Sequence, residues 1–193
     1  VITGFGRTGR MFGLEHWNIE PDIVQFAKAI TSGYFPLGGI GVSDAIARTM
    51  DNAQQIWMHA YTYSAHPVGC AVALRNLDII EQEGFLPQAA EKGRYLLGKL
   101  KPALADHPHV GEVRGIGLMV AVELVADKAT RAEFPPEQQI GHRVHVETQK
   151  RGMFTRLRGD VYCLAPPIIT ERDVLDRMVE ILRESIDAVL NDV

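Results

Sequence analysis

The sequence predicts an α/β fold in two parts: the end of a larger α/β sheet, then a small C-terminal α/β domain. Three observations predict it. Short apolar runs bounded by turn residues, such as Ile23–Ile30 and Gly39–Val42, have the length of strands. Longer segments from Pro67 onward repeat apolar residues at helical spacing. From about residue 110 the two patterns alternate as β-β-α-β-β-α, the arrangement of a sheet with helices on one side. The division falls between residues 1–85 and 86–193.

Val1-Ile2 reads as the end of a strand, and the chain opens there without a methionine. A domain seldom begins by exposing half a strand edge, so a piece of a longer polypeptide is expected. Gly4 to Gly13 is a glycine-rich loop. Ile23–Ile30 reads as a buried strand ending near Lys28, and Gly39–Val42 as a second short one. A helix begins at Asp44, with Ser43 or Asp44 as its cap. Residues 51–65 hold Trp57, Met58, His59, Tyr61 and Tyr63 without helical period, which predicts a loop.

Pro67 suits the first turn of a helix that stops near Gly84. Its small face (Gly69, Cys70, Ala71, Ala73) predicts close approach by another backbone. Leu86–Leu104 is amphipathic, with Leu86, Ala90, Gly93, Leu97, Leu100 and Leu104 on the apolar side. Val110–Val125 reads as two strands broken at Arg114-Gly115-Ile116-Gly117. A helix spans about 137–150, and a hairpin turns at Arg158-Gly159-Asp160. Thr170 with Asp173 predicts a capping box for the last helix, whose stripe is Val174, Met178, Ile181, Leu182, Ser185, Ile186 and Val189.

The 193 residues are 46% hydrophobic and 23% charged, enough for one sizeable core or two small ones. A net charge of -4 gives no electrostatic footprint for nucleic acid or an anionic membrane. No apolar stretch is long enough to span a bilayer. Cys70 and Cys163 are far apart and lack metal spacing; they read as buried free thiols of a cytoplasmic protein.

Lys28, at the end of an apolar run, has two readings. A buried ammonium is costly, so a lysine there can be kept neutral and nucleophilic for Schiff-base chemistry. Equally, a strand-end lysine can reach water on its long stem. Gly4-Phe5-Gly6-Arg7-Thr8-Gly9 matches a dinucleotide fingerprint letter for letter, but no helical period follows it, which favours a plain turn. Arg7 and Arg10 suit either an anion or solvent. His142 and His145 are weak evidence for a metal.

The order of the motifs is more telling than any one. It runs Gly-Phe-Gly-Arg-Thr-Gly, Phe26-Ala27-Lys28, Thr31-Ser32-Gly33, Pro36-Leu37-Gly38-Gly39 and His59-Ala60-Tyr61-Thr62-Tyr63-Ser64-Ala65-His66-Pro67. Arg114-Gly115-Ile116-Gly117, Arg156-Leu157-Arg158-Gly159-Asp160 and Ala165-Pro166-Pro167 follow. This closely resembles the class III (omega-amino-acid) aminotransferases, pyridoxal 5'-phosphate enzymes of fold type I, over the whole chain.

The resemblance implies that 1–85 is the C-terminal part of the cofactor-binding large domain and 86–193 the small domain. It implies that Lys28 holds pyridoxal 5'-phosphate as a Schiff base. Thr62, with the Tyr61 backbone beside it, would bind the cofactor phosphate of the neighbouring subunit in a homodimer. Ala60 stands where the family often carries glycine. Arg156 would pair with a substrate carboxylate, with Arg158 competing for the role, and Trp57 and Met58 suit either pocket or packing. The family's pyridine-nitrogen aspartate, phosphate loop and stacking aromatic would precede Val1, so these 193 residues alone are expected to be poorly active or inactive.

The implied reaction moves an amino group from an omega-amino acid or amine to a 2-oxo acid such as pyruvate. The rivals are an aminomutase or racemase on the same scaffold, a dinucleotide-binding oxidoreductase, and a non-catalytic binding module.

Overall fold

The apolar run Ile23–Ile30 does not stay extended. Ala27 is still in the extended region, but Lys28 has φ +54°, and the chain winds into one 3-10 turn over Lys28–Ile30. The first strand, β1 (Ile23–Phe26), therefore ends two residues before the lysine. It pairs antiparallel with β2 (Gly39–Val42), Ile23 lying opposite Val42 and Phe26 opposite Gly39. The expected burial is not met. Burial along β1 alternates between exposed and half-buried, and Ile23 is 56% exposed. Val1 and Ile2 are likewise exposed and form no strand.

This computed structural model describes residues 1–53 and 58–191, and its chain divides into two compact units, Val1–Leu86 and Pro87–Val193. In the first unit the glycine-rich segment is a succession of turns leading to a 3-10 turn over Gly13–Trp17. Glu15 secures that turn by accepting the Phe12 N–H at 2.6 Å. No α-helix opens within Gly4–Gly9, so the dinucleotide fingerprint lacks the helix terminus that would face a pyrophosphate.

Helix α1 (Asp44–Asn52) begins where predicted, but the Ser43 hydroxyl bonds Asp22 Oδ1 at 3.0 Å instead of capping the helix. Helix α2 (Pro67–Gln82) carries Pro67 at its first turn, and Gly84 at φ +62° follows its end. Its small face receives a ring, not a backbone: a Cβ on Gly69 would stand 2.8 Å from the Phe35 ring. Phe5, Ile30, Ala73 and Ile80 are the buried centre of this unit. Phe5 meets Phe12 and Phe26 edge-on, with ring centroids 5.3 and 6.1 Å apart, the geometry aromatic quadrupoles favour.

Helix α3 (Phe85–Leu104) starts at the end of the first unit and continues through the second. Its buried residues are Ala89, Gly93, Leu96, Leu100 and Leu104, so the stripe is turned one residue from the expected Ala90 and Leu97. Strands β3 (Val110–Ile116), β4 (Met119–Leu124), β5 (Arg156–Arg158) and β6 (Val161–Leu164) form an antiparallel sheet in the order β3-β4-β6-β5. The break between the first two lies at Gly117-Leu118; Arg114 to Ile116 remain in β3. Gly117 supplies the left-handed residue of the tight turn at φ +53°.

Along β4 Val120, Val122 and Leu124 are buried and their neighbours are half-buried, so one face of the sheet carries the core. Helices α3, α4 (Ile140–Lys150) and α5 (Arg172–Leu190) contribute to that core. Helix α5 is capped by the Glu171 position rather than Thr170, because Thr170 lies in the turn before it. Its buried stripe includes Leu175 and Val179, while Val174 is 49% exposed. Neither cysteine is buried: Cys70 is exposed on α2, and Cys163 is half-buried on the face of β6 opposite Tyr162 and Leu164.

Candidate functional site

Lys28 is exposed at the head of its turn. Among the described residues its side chain enters no ion pair and no hydrogen bond. The burial that the sequence reading relied on is therefore not supplied by these residues. What they supply is a fixed backbone. Lys28 (φ +54°) and Ser32 (φ +49°) both occupy the left-handed region, which is costly for residues with a Cβ.

The turn is held from α2. Asn76 Nδ2 donates to the carbonyls of Ala29 at 2.8 Å and Ile30 at 3.1 Å. Asn76 Oδ1 accepts the Ser32 hydroxyl at 2.8 Å. Below the turn, Thr31 is buried and its hydroxyl donates to Phe35 O at 2.6 Å. Sequence reasoning passed over Asn76. The available signal was a poor helix former placed inside a good helix.

Tyr61 and Thr62 lie in an exposed turn before Pro67. The Tyr61 N–H donates to Ser64 Oγ at 3.1 Å, and the Ser64 N–H returns to Tyr61 O at 3.0 Å. The Thr62 hydroxyl is left pointing to no partner among the described residues. Trp57 lies outside the described residues; Met58 is 86% exposed.

Arg156 and Arg158 sit two apart on β5 and share the exposed face; Leu157 between them is half-buried. They do not share surroundings. A cavity of about 690 Å³ is lined by Arg158 but not Arg156, with Arg131, Glu133, Phe134, His142 and Asp160 around it. The hairpin that carries both arginines is pinned to α4. Gly141 N–H donates to Asp160 Oδ1 at 2.8 Å, and a Cβ on Gly141 would stand 2.3 Å from Gly159 O. Gln139, at the cap position, makes no side-chain cap, so the turn's carboxylate takes that role. The sequence showed Gly159-Asp160 only as turn residues. Among the described residues no group of three His, Cys, Asp or Glu side chains is arranged to hold a metal ion.

These elements define an α/β chain whose solved neighbours are fold type I pyridoxal-phosphate transaminases. The chain belongs to the class-III aminotransferase family, whose model matches residues 1–186, a family dependent on pyridoxal 5'-phosphate. It is 40% identical over 194 residues to the diaminobutyrate–2-oxoglutarate transaminase of Halomonas elongata, covering 98% of this chain and 41% of that one. It is 51% identical to the thermostable (S)-enantioselective omega-transaminase of Thermomicrobium roseum, with a TM-score of 0.94 over 98% of this chain and 42% of that one. An amine transaminase from an uncultivated Pseudomonas species, solved with pyridoxal phosphate bound, is 42% identical with a TM-score of 0.93, over 98% and 43% of the two chains. The chain thus spans about two fifths of the length of these relatives.

Proposed function

We propose that this chain is the lysine-bearing part of a pyridoxal-phosphate-dependent aminotransferase. The whole enzyme moves an amino group from an omega-amino acid or amine to a 2-oxo acid such as pyruvate. The observation that carries the reading is the exposed Lys28 amine, unpaired among the described residues and presented by a backbone held from α2. Residues 1–85 are the C-terminal part of the cofactor-binding domain in this reading, and 86–193 the small domain.

The residues present fit the cofactor. An accessible primary amine is what an imine-forming carbonyl requires, and the Thr62 hydroxyl is open to a phosphate oxygen. Bound pyridoxal phosphate supplies an electron sink for the carbon that bears the transferred nitrogen. Lys28 Nζ would tether the cofactor, and its free amine would serve as the base for the proton on that carbon. Thr62, with the Tyr61 backbone, orients the phosphate belonging to the neighbouring subunit of a homodimer. Arg156 offers its planar fork to a substrate carboxylate. In this reading the enzyme works in the cytoplasm, and the 193 residues by themselves are poorly active or inactive.

Borohydride reduction of the full-length protein with cofactor supplied, followed by peptide mapping, tests this. A pyridoxyl group on the peptide containing Lys28 is expected. Its absence from that peptide overturns the reading.

A further inference from the structure

We propose that Asn76 is a positioning residue for Lys28, fixing the turn that aims the amine at its carbonyl partner; this rests on the reading of Lys28 given above. The turn's own bonds are long. Ile30 N–H to Ala27 O, Thr31 N–H to Lys28 O and Ser32 N–H to Ala29 O are each 3.3 Å. Two residues with side chains, Lys28 and Ser32, bracket it in the left-handed region. Such a conformation persists only where the surroundings over-determine it.

Asn76 supplies that restraint. It is half-buried in α2, 46 and 47 positions away in sequence from the carbonyls it binds. Those carbonyls can only accept, so the amide nitrogen must face them and the amide oxygen must face the Ser32 hydroxyl. Both ends of the amide are thereby spent on residues directly after Lys28. A carboxylate in its place would set its oxygens against both carbonyls, and a methyl would leave them unpaired. Asn76 follows buried Gly69 and Ala73 by seven and three positions and so shares their face of α2.

The test uses the full-length protein as Asn76→Ala, Asn76→Asp and Ser32→Ala. Each is stripped of cofactor and remixed with pyridoxal phosphate, and pyridoxyl-Lys28 is quantified after borohydride quenching at successive times. Normalising to the final yield counts only molecules able to react. We expect the same final yield on Lys28 but capture about ten-fold slower in both Asn76 variants, as loss of roughly one to two net hydrogen bonds implies. Ser32→Ala, which removes a single bond, should fall between them and the parent and stands in for any Asn76 variant that does not fold. Amide hydrogen exchange should quicken over residues 30–34 and stay unchanged in the rest of α2. The visible circular dichroism of the lysine-bound cofactor should weaken. Parental capture rates and parental exchange in all three variants would overturn the inference. Failure of the parent itself to label Lys28 removes the underlying reading instead, and is seen before any variant is made.

Discussion

Gly93 on α3 and Gly117 in the β3–β4 turn meet backbone to backbone: a Cβ on Gly93 would lie 2.2 Å from the Gly117 carbonyl oxygen. Helix and turn can approach this closely only because neither has a side chain at the contact. Gly93→Ala gains about 1 kcal/mol of helix propensity but forces apart backbone that has no flexible end to yield. Overpacking of this kind costs up to about 3 kcal/mol, so a net loss of about 2 kcal/mol is expected. A lower urea midpoint for the transition of the second unit, at unchanged slope, checks it.

Tyr162 and Thr148 are both fully buried and share a hydrogen bond through their hydroxyls. Thr148 donates to His145 O at 2.8 Å, so in the shared bond the tyrosine is the donor. Burial pushes the Tyr162 phenol above its ordinary range. Tyr162→Phe removes one accepted bond from Thr148 and should cost about 1 kcal/mol. Thr148→Val strands the phenol, whose next neighbour is His145 Nδ1 at 3.5 Å, and should cost more, about 1–3 kcal/mol. A double-mutant cycle by denaturant titration should show the double variant losing less than the sum of the two.

His107 makes stability depend on pH. Its side chain is 6% exposed, with Nε2 3.5 Å from Asp187 Oδ1. Nδ1 accepts the His109 N–H at 3.1 Å, so the neutral ring carries its proton on Nε2. Burial lowers its pKa, Asp187 opposes that, and His109, Arg183 and Lys128 add to it. With the folded value below the ordinary one of about 6.5, the unfolded chain binds the proton first as pH falls. The contribution is therefore complete above about pH 6.5 and is lost as pH drops through the folded value. Urea midpoints should fall between about pH 7.5 and pH 5.5, and less so in His107→Gln.

Arg156→Ala should raise KM for carboxylate-bearing substrates of the full-length enzyme by about 10- to 100-fold, the worth of a charged hydrogen-bonded pair. KM for an uncharged amine should change little. Arg158 lines a cavity that Arg156 does not, so Arg158→Ala should leave the distinction between the two substrates intact. Steady-state kinetics with matched acid and amine substrates decide which arginine reads the carboxylate.

Much of the fold was legible because it rests on local chemistry. Pro67 at the start of α2, Gly84 after it and the β-β-α-β-β-α tail follow from backbone preference and apolar period. The misplacements were tertiary. Ile23–Ile30 is apolar enough for a strand, yet φ reverses at Lys28 and the two carbonyls after it are bonded by Asn76 from α2, a residue that no window around the lysine contains. Ser43 could not be seen to leave its helix for Asp22, nor Asp160 to serve α4 in place of Gln139.

By itself the sequence determined the family and most of the succession of helices and strands, and it singled out Lys28 as a candidate, because ordered motifs and hydrophobic period are carried by neighbours in the chain. Only the tertiary structure decided that Lys28 stands exposed on a left-handed turn, with Asn76 holding the residues beside it. The reason is physical. Hydrogen bonds that close a turn from another element depend on distances across the fold, and these are set by how closely α2 can approach.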